Sequence, residues 1–292
     1  VLGTHHGSVQ PDHLDAYLNI RRAGEDIALG STIVAAGTRL TPAELGLAAS
    51  IGCASLTVAR RPRVALFSTG DELVMPGDVA PQDLPAGSIY NSNRFFLRAM
   101  LQRLGCEVVD KGIVPDSYDA TVAALQSAAQ DCDLVLTSGG VSVGEEDHVK
   151  PAVEALGRLD LWAIAIKPGK PFAYGKVGSA HFIGLPGNPV SSFVTFALLV
   201  RPFVLRLQGV QHVAPQAVTL RADFDWPRAD KRQEFLRARI NAHGGLDRFA
   251  NQSSGVLTSV VWGDGLVDNP AGSTIARGDM VRFMPFAQLL GA

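Results

Sequence analysis

The chain has 292 residues and a mass of 30.9 kDa, which is too long for one small domain and suits two or three. Hydrophobic residues make up 47% of it and charged residues 18%, so it can bury a large core and intrinsic disorder is excluded. A net charge of −2 argues against a general binder of nucleic acids or anionic membranes, and three widely spaced cysteines provide neither a disulfide framework nor a paired zinc motif. We therefore expect a soluble, cytoplasmic, multidomain protein.

The first sixty residues divide into a terminal tract, residues 1–18, without clear periodicity and a small β-rich piece, residues 19–60. In this piece Gly30 and Gly37 punctuate short apolar pairs, as in a hairpin. The segment Thr41-Pro42-Ala43-Glu44 has an N-cap, a proline at the first helical position and an acid two residues later. It predicts a short helix through Ser50, and residues 54–59 are predicted to form a strand.

Residues 61–210 alternate apolar strands with amphipathic helices. Strands that read as continuous apolar runs are typical of a mostly parallel sheet with helices on both faces, so the fold class is α/β. Residues 211–292 read as a C-terminal all-β domain. The predicted strands are 64–68, 107–109, 134–137, 161–166, 181–185, 217–222, 235–241 and 278–285, and the predicted helices are 91–104, 118–130, 148–156 and 191–207.

Polar residues follow the predicted parallel strands at the sheet edge where open α/β sheets bind ligands. The first strand runs into Ser68–Glu72, whose two adjacent acids can hold Mg²⁺ or orient a nucleophile. The alternative interpretation is a helix-capping turn. Asp116 follows the next strand, where a plain N-cap is the alternative.

Two glycine-containing segments predict anion-binding sites. In Ser138–Asp147 the glycines let backbone N–H groups approach a ligand, although the segment is neither a dinucleotide fingerprint nor a P-loop. Gly184–Ser192 leads into the long helix with Asn188 as N-cap, so free amides and two hydroxyls lie on the first turn. An ordinary helix start is the alternative for this second segment.

Lys167 and Lys170 lie in a turn stiffened by prolines and a glycine, which can direct their side chains; a solvated basic loop is the alternative. Together with the strand-end acids and the anion-binding sites, they favour phosphate and metal chemistry. Such sets suit phosphoryl or nucleotidyl transfer, in which positioning and charge neutralisation dominate.

These segments, in this order, resemble the molybdopterin molybdenumtransferase family, which includes bacterial MoeA and the E domain of gephyrin. The resemblance implies a MogA/MoaB-like α/β domain and a role in molybdenum cofactor biosynthesis. It implies insertion of molybdate into adenylyl-molybdopterin with release of AMP, assisted by Mg²⁺, in a homodimer whose active site lies between subunits. The matching segments are Asn19–Asp26, Ser68–Leu73 (STGDEL), Ile89–Asn93 (IYNSN), Ser138–Asp147, Lys167–Pro171 (KPGKP) and Gly184–Ser191 (GLPGNPVS).

The resemblance also implies roles for individual residues. Glu72, Asp116 and Asp147 resemble the essential acids, and Glu72 and Asp147 the Mg²⁺ ligands. Arg21 and Asp26 resemble charged positions that reach the partner subunit's site. Positions similar to those that hold molybdate are Lys170, Ser191, Arg237 and Ser254. Positions similar to those that contact the pterin or its phosphates are Thr69, Gly70, Asp71, Ser138, Gly139, Gly140, Ser142, Lys167, Pro186, Gly187 and Asn188.

The sequence departs from the family pattern at three places. Ala163 stands where a lysine is frequent, Ser117 where a second aspartate is common, and residues 1–18 do not match the family's further N-terminal domain. Two other functions are therefore kept open. One is a molybdopterin adenylyltransferase, although those enzymes resemble the α/β domain alone. The other is a non-catalytic molybdopterin-binding or scaffold protein.

Overall fold

The computed structural model describes residues 23–141 and 148–291, which fall into two compact units with the boundary between Val58 and Ala59. In the first unit, helix α1 (Pro42–Ser50) begins at a capping box. The Thr41 hydroxyl accepts the Ala43 N–H at 3.3 Å, and the Glu44 carboxylate accepts the Thr41 N–H at 2.7 Å. The predicted helix is confirmed. The strand predicted over residues 54–59 is wrong, because the described residues 23–60 contain turns and α1 but no strand with which it could pair.

The second unit begins with an α/β domain built on a six-stranded mixed sheet of order β4-β1-β5-β9-β8-β6. Strands β4, β1, β5 and β9 are parallel, whereas β8 and β6 are antiparallel to their neighbours. The mostly parallel α/β sheet is confirmed. The strands of this domain are β1 (Arg63–Thr69), β2 (Leu73–Val74), β3 (Ile89–Tyr90), β4 (Glu107–Val114), β5 (Leu134–Ser138), β6 (Gly157–Trp162), β7 (Ile166–Lys167), β8 (Ala173–Val177) and β9 (Ala180–Leu185).

Helices cover both faces of this sheet, and alternate strand residues point to opposite faces. Leu66 packs into one core cluster with helices α2 and α6 and the π-helical turn before α6, while its neighbour Phe67 packs into the other with α3 and α4. In α2, Phe95 is 53% exposed, whereas Phe96 packs inward. The helices are α2 (Ser92–Arg103), α3 (Tyr118–Asp131), α4 (Val149–Leu156), α5 (Pro189–Thr195) and α6 (Arg201–Leu207), the last two joined by a π-helical turn at Phe196–Val200.

The strand predicted over residues 161–166 is wrong in its bounds. β6 ends at Trp162, and Ala163 adopts a positive φ of 71°, which turns the chain out of the sheet. β7 then pairs with a strand of the C-terminal domain. The prediction also missed β8, whose central Gly175 and Lys176 interrupt the apolar run that marks a buried strand.

The C-terminal domain is an antiparallel sheet of order β10-β14-β13-β11-β12, which confirms the predicted β domain. Its core contains Leu236, Val267 and Phe283. A separate cluster packs Val194 of α5 against Phe235, so this helix is shared by both domains. The elements are β10 (Val218–Arg221), β11 (Gln233–Ile240), β12 (Leu246–Arg248), α7 (Thr258–Trp262), β13 (Gly265–Asn269), β14 (Met280–Pro285) and α8 (Phe286–Leu290).

The continuous helix Pro189–Leu207 has the length and hydropathy of a membrane span. However, 67% of its most apolar window is buried inside the protein. Val194 and Val200 are fully buried, one between the two domains and the other against the α/β sheet. The helix therefore packs as a core helix.

Candidate active site

The carboxyl ends of β1, β5 and β9 open into a cleft of about 700 Å³. The chain leaves β1 toward β4 on one side of the sheet and leaves β5 toward β9 on the other, so the cleft lies where the strand order reverses. This is the position at which open α/β sheets bind ligands. The strand-end residues in its lining are Thr69, Gly70, Ser138, Gly139, Gly140, Pro186, Gly187 and Asn188.

The loops after β1 and β5 touch through backbone at Gly139. Its φ is +95°, and a Cβ there would lie 2.5 Å from the Thr69 carbonyl oxygen. The Thr69 hydroxyl beside it is buried and has no hydrogen-bond partner among the described residues. The glycine therefore brings two loops together around a buried polar group whose hydrogen-bonding capacity the described residues do not use.

Asn93 joins the loops after β5 and β9. It lies in the first turn of α2, is 7% exposed, and its Nδ2 donates to the Ser138 hydroxyl at 2.8 Å and to the Gly187 carbonyl at 2.7 Å. Asn91 caps the same helix, since its Oδ1 accepts the Arg94 N–H at 3.2 Å. Both asparagines line the cleft and were not among the predicted site residues. The IYNSN segment, which resembles the family pattern, is the sequence signal that points to them.

Glu72 and Asp116 are the charged residues among the described residues that line the cleft. The Glu72 carboxylate lies over Gly70, where a Cβ would come within 2.5 Å of its Oε2. Asp71 has a supporting contact instead, because its Oδ1 accepts the Asp116 N–H at 3.1 Å and ties the β1 loop to the β4 loop. Carboxylate oxygens are the donors that Mg²⁺ prefers, so this lining fits such a cation. The predicted residues Ser142, Asp147 and Arg21 lie outside the described residues.

The N-terminus of α5 forms another wall of the cleft. Ser191 is 4% exposed and lines it, and the Val190 N–H donates to the Ser254 carbonyl at 2.9 Å. Gly255, next in the chain, also lines the cleft. The structure thus brings Ser191 and Ser254 together. The Val190 N–H, one of the helix-terminal amides that the sequence predicted to be free for an anion, is therefore already hydrogen-bonded.

Arg237 lies behind this wall and is not in the lining. It is 1% exposed, and its guanidinium donates to Ser259 Oγ at 3.1 Å, the Phe235 carbonyl at 3.3 Å and the Ser253 carbonyl at 3.2 Å. Burial lowers the pKa of Arg237 to about 10, so it stays charged at neutral pH. In this state Arg237 supports the segment that carries Ser254, and a direct contact with molybdate stays a prediction.

The two predicted lysines are not in the described lining of the cleft either. Lys167 Nζ lies 3.1 Å from Asp230 and 3.0 Å from Glu234. Partial burial lowers the pKa of Lys167, but hydrogen bonds to these two carboxylates outweigh it and raise the pKa overall. Lys170 is exposed and lines a separate cavity with Lys231. Their turn reaches the cleft through Pro171. Asp26 is exposed in a turn of the N-terminal unit.

Comparison with known families matches each part of the chain. Residues 65–206 match a probable molybdopterin-binding domain, residues 219–286 the MoeA C-terminal region (domain IV) and residues 4–52 the MoeA N-terminal region (domains I and II). The last match includes most of the tract 1–18, for which the motifs gave no counterpart. The fold and cleft are therefore those of a molybdopterin-binding α/β domain joined to MoeA-type terminal regions.

Individual relatives agree with this class. The chain is 41% identical to a molybdopterin molybdenumtransferase of Haemophilus influenzae over 94% of this chain and 68% of that protein. It is 35% identical to molybdopterin molybdenumtransferase 2 of Mycobacterium tuberculosis over 86% of this chain and 63% of that protein. A crystal structure of a molybdopterin biosynthesis MoeA protein from Pyrococcus horikoshii matches with a TM-score of 0.77 and 31% identity, over 90% of this chain and 64% of that one. The chain belongs to the molybdopterin molybdenumtransferase family, and it spans about two thirds of the length of these relatives.

Proposed function

We propose that this protein inserts molybdate into adenylyl-molybdopterin and releases AMP, giving molybdenum cofactor. The observation that carries this proposal is the cleft at the strand ends, where glycine loops, hydroxyls and two carboxylates converge. Such a lining suits a phosphate-bearing ligand that arrives with a cation. The relatives' names support the reaction, and the homodimer and the cytoplasmic location are part of the same proposal.

The charge of the lining supports a requirement for Mg²⁺. An anionic phosphate would be repelled by Glu72 and Asp116, and the described lining supplies no lysine or arginine to offset them. Mg²⁺, when bound, would neutralise charge on the phosphate. Glu72 and Asp147 are its proposed ligands, and Asp116 is the third acid of the set. Glu72 is exposed to solvent, so it can exchange water for a cation without a large rearrangement.

The other walls of the cleft are proposed to bind different parts of the substrate. Thr69, Ser138 and the amides of the lining glycines other than Gly139, whose N–H donates to the Leu185 carbonyl, are proposed to hold the pterin phosphate, because short hydroxyls and N–H groups suit phosphate oxygens. Ser191 and Ser254 are proposed to hold molybdate where α5 meets the C-terminal domain. The proposal extends to Lys170 and Arg237 as the cations of the molybdate site, to Lys167 near the phosphate, and to Arg21 and Asp26 as contributions to the partner subunit's site.

The test is release of AMP from purified adenylyl-molybdopterin, with and without molybdate and Mg²⁺. Molybdate-stimulated release that disappears on removal of Mg²⁺ is expected. Tight pterin binding without release would refute the transferase and leave a binding protein. Lys170→Ala should weaken the dependence on molybdate while pterin binding persists, and an unchanged molybdate titration would remove Lys170 from the oxyanion site.

A further inference from the structure

We propose that Asn93 is a positioning residue that makes the Ser138 hydroxyl a hydrogen-bond donor to the ligand in the cleft. The inference rests on the proposed function only for the identity of that ligand, adenylyl-molybdopterin. Neither the predicted site nor the roles implied by the family resemblance include Asn93.

The geometry fixes which group donates. Asn93 Nδ2 lies 2.7 Å from the Gly187 carbonyl, an oxygen that can only accept, so the atom at this position is the amide nitrogen. The same nitrogen donates to Ser138 Oγ at 2.8 Å. A hydroxyl that accepts from Asn93 must direct its own proton elsewhere. Ser138 is 3% exposed and lines the cleft, where a phosphate oxygen would be an acceptor for that proton.

The same two bonds set the distance between two walls of the cleft. Ser138 ends β5 and Gly187 follows β9, and the Gly139 N–H donates to the Leu185 carbonyl at 3.1 Å on the side of the sheet. Asn93 provides a second tie above the sheet, from a helix that begins inside the cleft. Because Asn93 is only 7% exposed, water cannot readily replace its side chain in these bonds.

Asn93→Asp is the sharpest perturbation, because it keeps the shape and reverses the hydrogen bonding. An ionised Asp can only accept, so it would draw the Ser138 proton away from the ligand and repel the Gly187 carbonyl. When that carboxyl is protonated it can donate again. Asn93→Ala removes the tie without reversing it. The matched control is Asn241→Ala, since Asn241 Nδ2 also donates two side-chain bonds, to Asp223 at 2.8 Å and Asp247 at 3.1 Å, away from the cleft.

The experiment measures equilibrium binding of adenylyl-molybdopterin to the full chain, together with thermal unfolding of each variant. Asn93→Ala should weaken binding roughly tenfold and Asn93→Asp by roughly another tenfold, as expected for lost and reversed bonds to a charged ligand. The Asn93→Asp variant should regain affinity as the pH falls from mildly alkaline to mildly acidic. Asn241→Ala should lower stability without changing affinity. In a Ser138→Ala background, the difference between the Asp and Ala variants should shrink.

The inference is overturned if folded Asn93→Ala binds as tightly as the wild type, or if the Asp variant equals the Ala variant at every pH. Weaker binding in proportion to the unfolded fraction alone would also overturn it, because that is the signature of a purely structural role. Wild-type protein that binds the ligand but releases no AMP would refute the proposed function, but the affinities of the Asn93 variants could still be compared.

Discussion

Gly139 offers the most direct test of how the cleft is assembled. Replacing it with alanine places a Cβ 2.5 Å from the Thr69 carbonyl oxygen, a backbone atom that cannot move without shifting the end of β1. The same substitution forces an L-residue to adopt φ +95°. The left-handed conformation costs about 1–2 kcal/mol and the overlap about 1–3 kcal/mol, so the free energy of unfolding should fall by about 2–5 kcal/mol.

Gly178→Ala separates these two costs. Gly178 lies in the turn between β8 and β9 with φ +56°, and a Cβ there would meet no atom within 4 Å. Only the conformational cost of about 1–2 kcal/mol applies. Both substitutions reduce the freedom of the unfolded chain equally, so that effect cancels in the comparison.

Urea denaturation of both variants is the assay, with the midpoint compared at unchanged slope. Gly139→Ala should be less stable than Gly178→Ala by about 1–3 kcal/mol. It should also lose AMP release under conditions in which it remains folded, whereas Gly178→Ala should keep it. If the two variants were equally stable and equally active, the close approach of the β1 and β5 loops would not be a requirement of the cleft.

Three further outcomes are expected. Glu72→Gln should raise the Mg²⁺ concentration needed for AMP release with little change in thermal stability, because Glu72 is exposed; an unchanged Mg²⁺ titration would exclude it as a ligand. Burial, together with the charges of Lys176 and Arg158, lowers the pKa of His181 below 6.5. At acidic pH the unfolded chain therefore binds more protons than the folded chain, so the free energy of unfolding should fall as the pH drops through 6.5. His181→Asn should lessen this fall in urea unfolding, and an unaltered pH profile would contradict the assignment. In the native protein a thiol reagent should modify exposed Cys53 rapidly and Cys106 only on unfolding, since burial raises the pKa of Cys106 to about 11; equal rates would contradict its burial.

The sequence predicted the parallel part of the sheet because its signals are local. Continuous apolar runs such as residues 134–137 identify buried strands, and the glycines and hydroxyls after them identify the ligand edge. β8 could not be found in this way, since Gly175 and Lys176 break the run and only pairing with β9 and β6 defines the strand. The end of β6 depends on the positive φ of Ala163, which no residue pattern indicates.

The side-chain environment was harder to predict than the position of the site. Residues at the carboxyl ends of strands, such as Thr69 and Ser138, lie in the cleft as expected from topology alone. Asp71, Lys167 and Arg237 instead bond to neighbouring protein groups, because each has an acceptor or donor brought near by a distant part of the chain. Sequence spacing carries no information on such partners.

The cleft depends on the C-terminal sheet as well as on the α/β domain. Phe235 of β11 packs with Val194 of α5, and the Ser254 carbonyl accepts the Val190 N–H at the start of that helix. Arg237 donates a hydrogen bond to the carbonyl of the preceding residue, Ser253. Burial of its charge costs free energy, which its neutral hydrogen-bond acceptors offset only in part. A buried cation with no carboxylate partner among the described residues raises the local potential behind Ser254. This positive potential supports the proposal that the wall next to Ser191 holds the oxyanion.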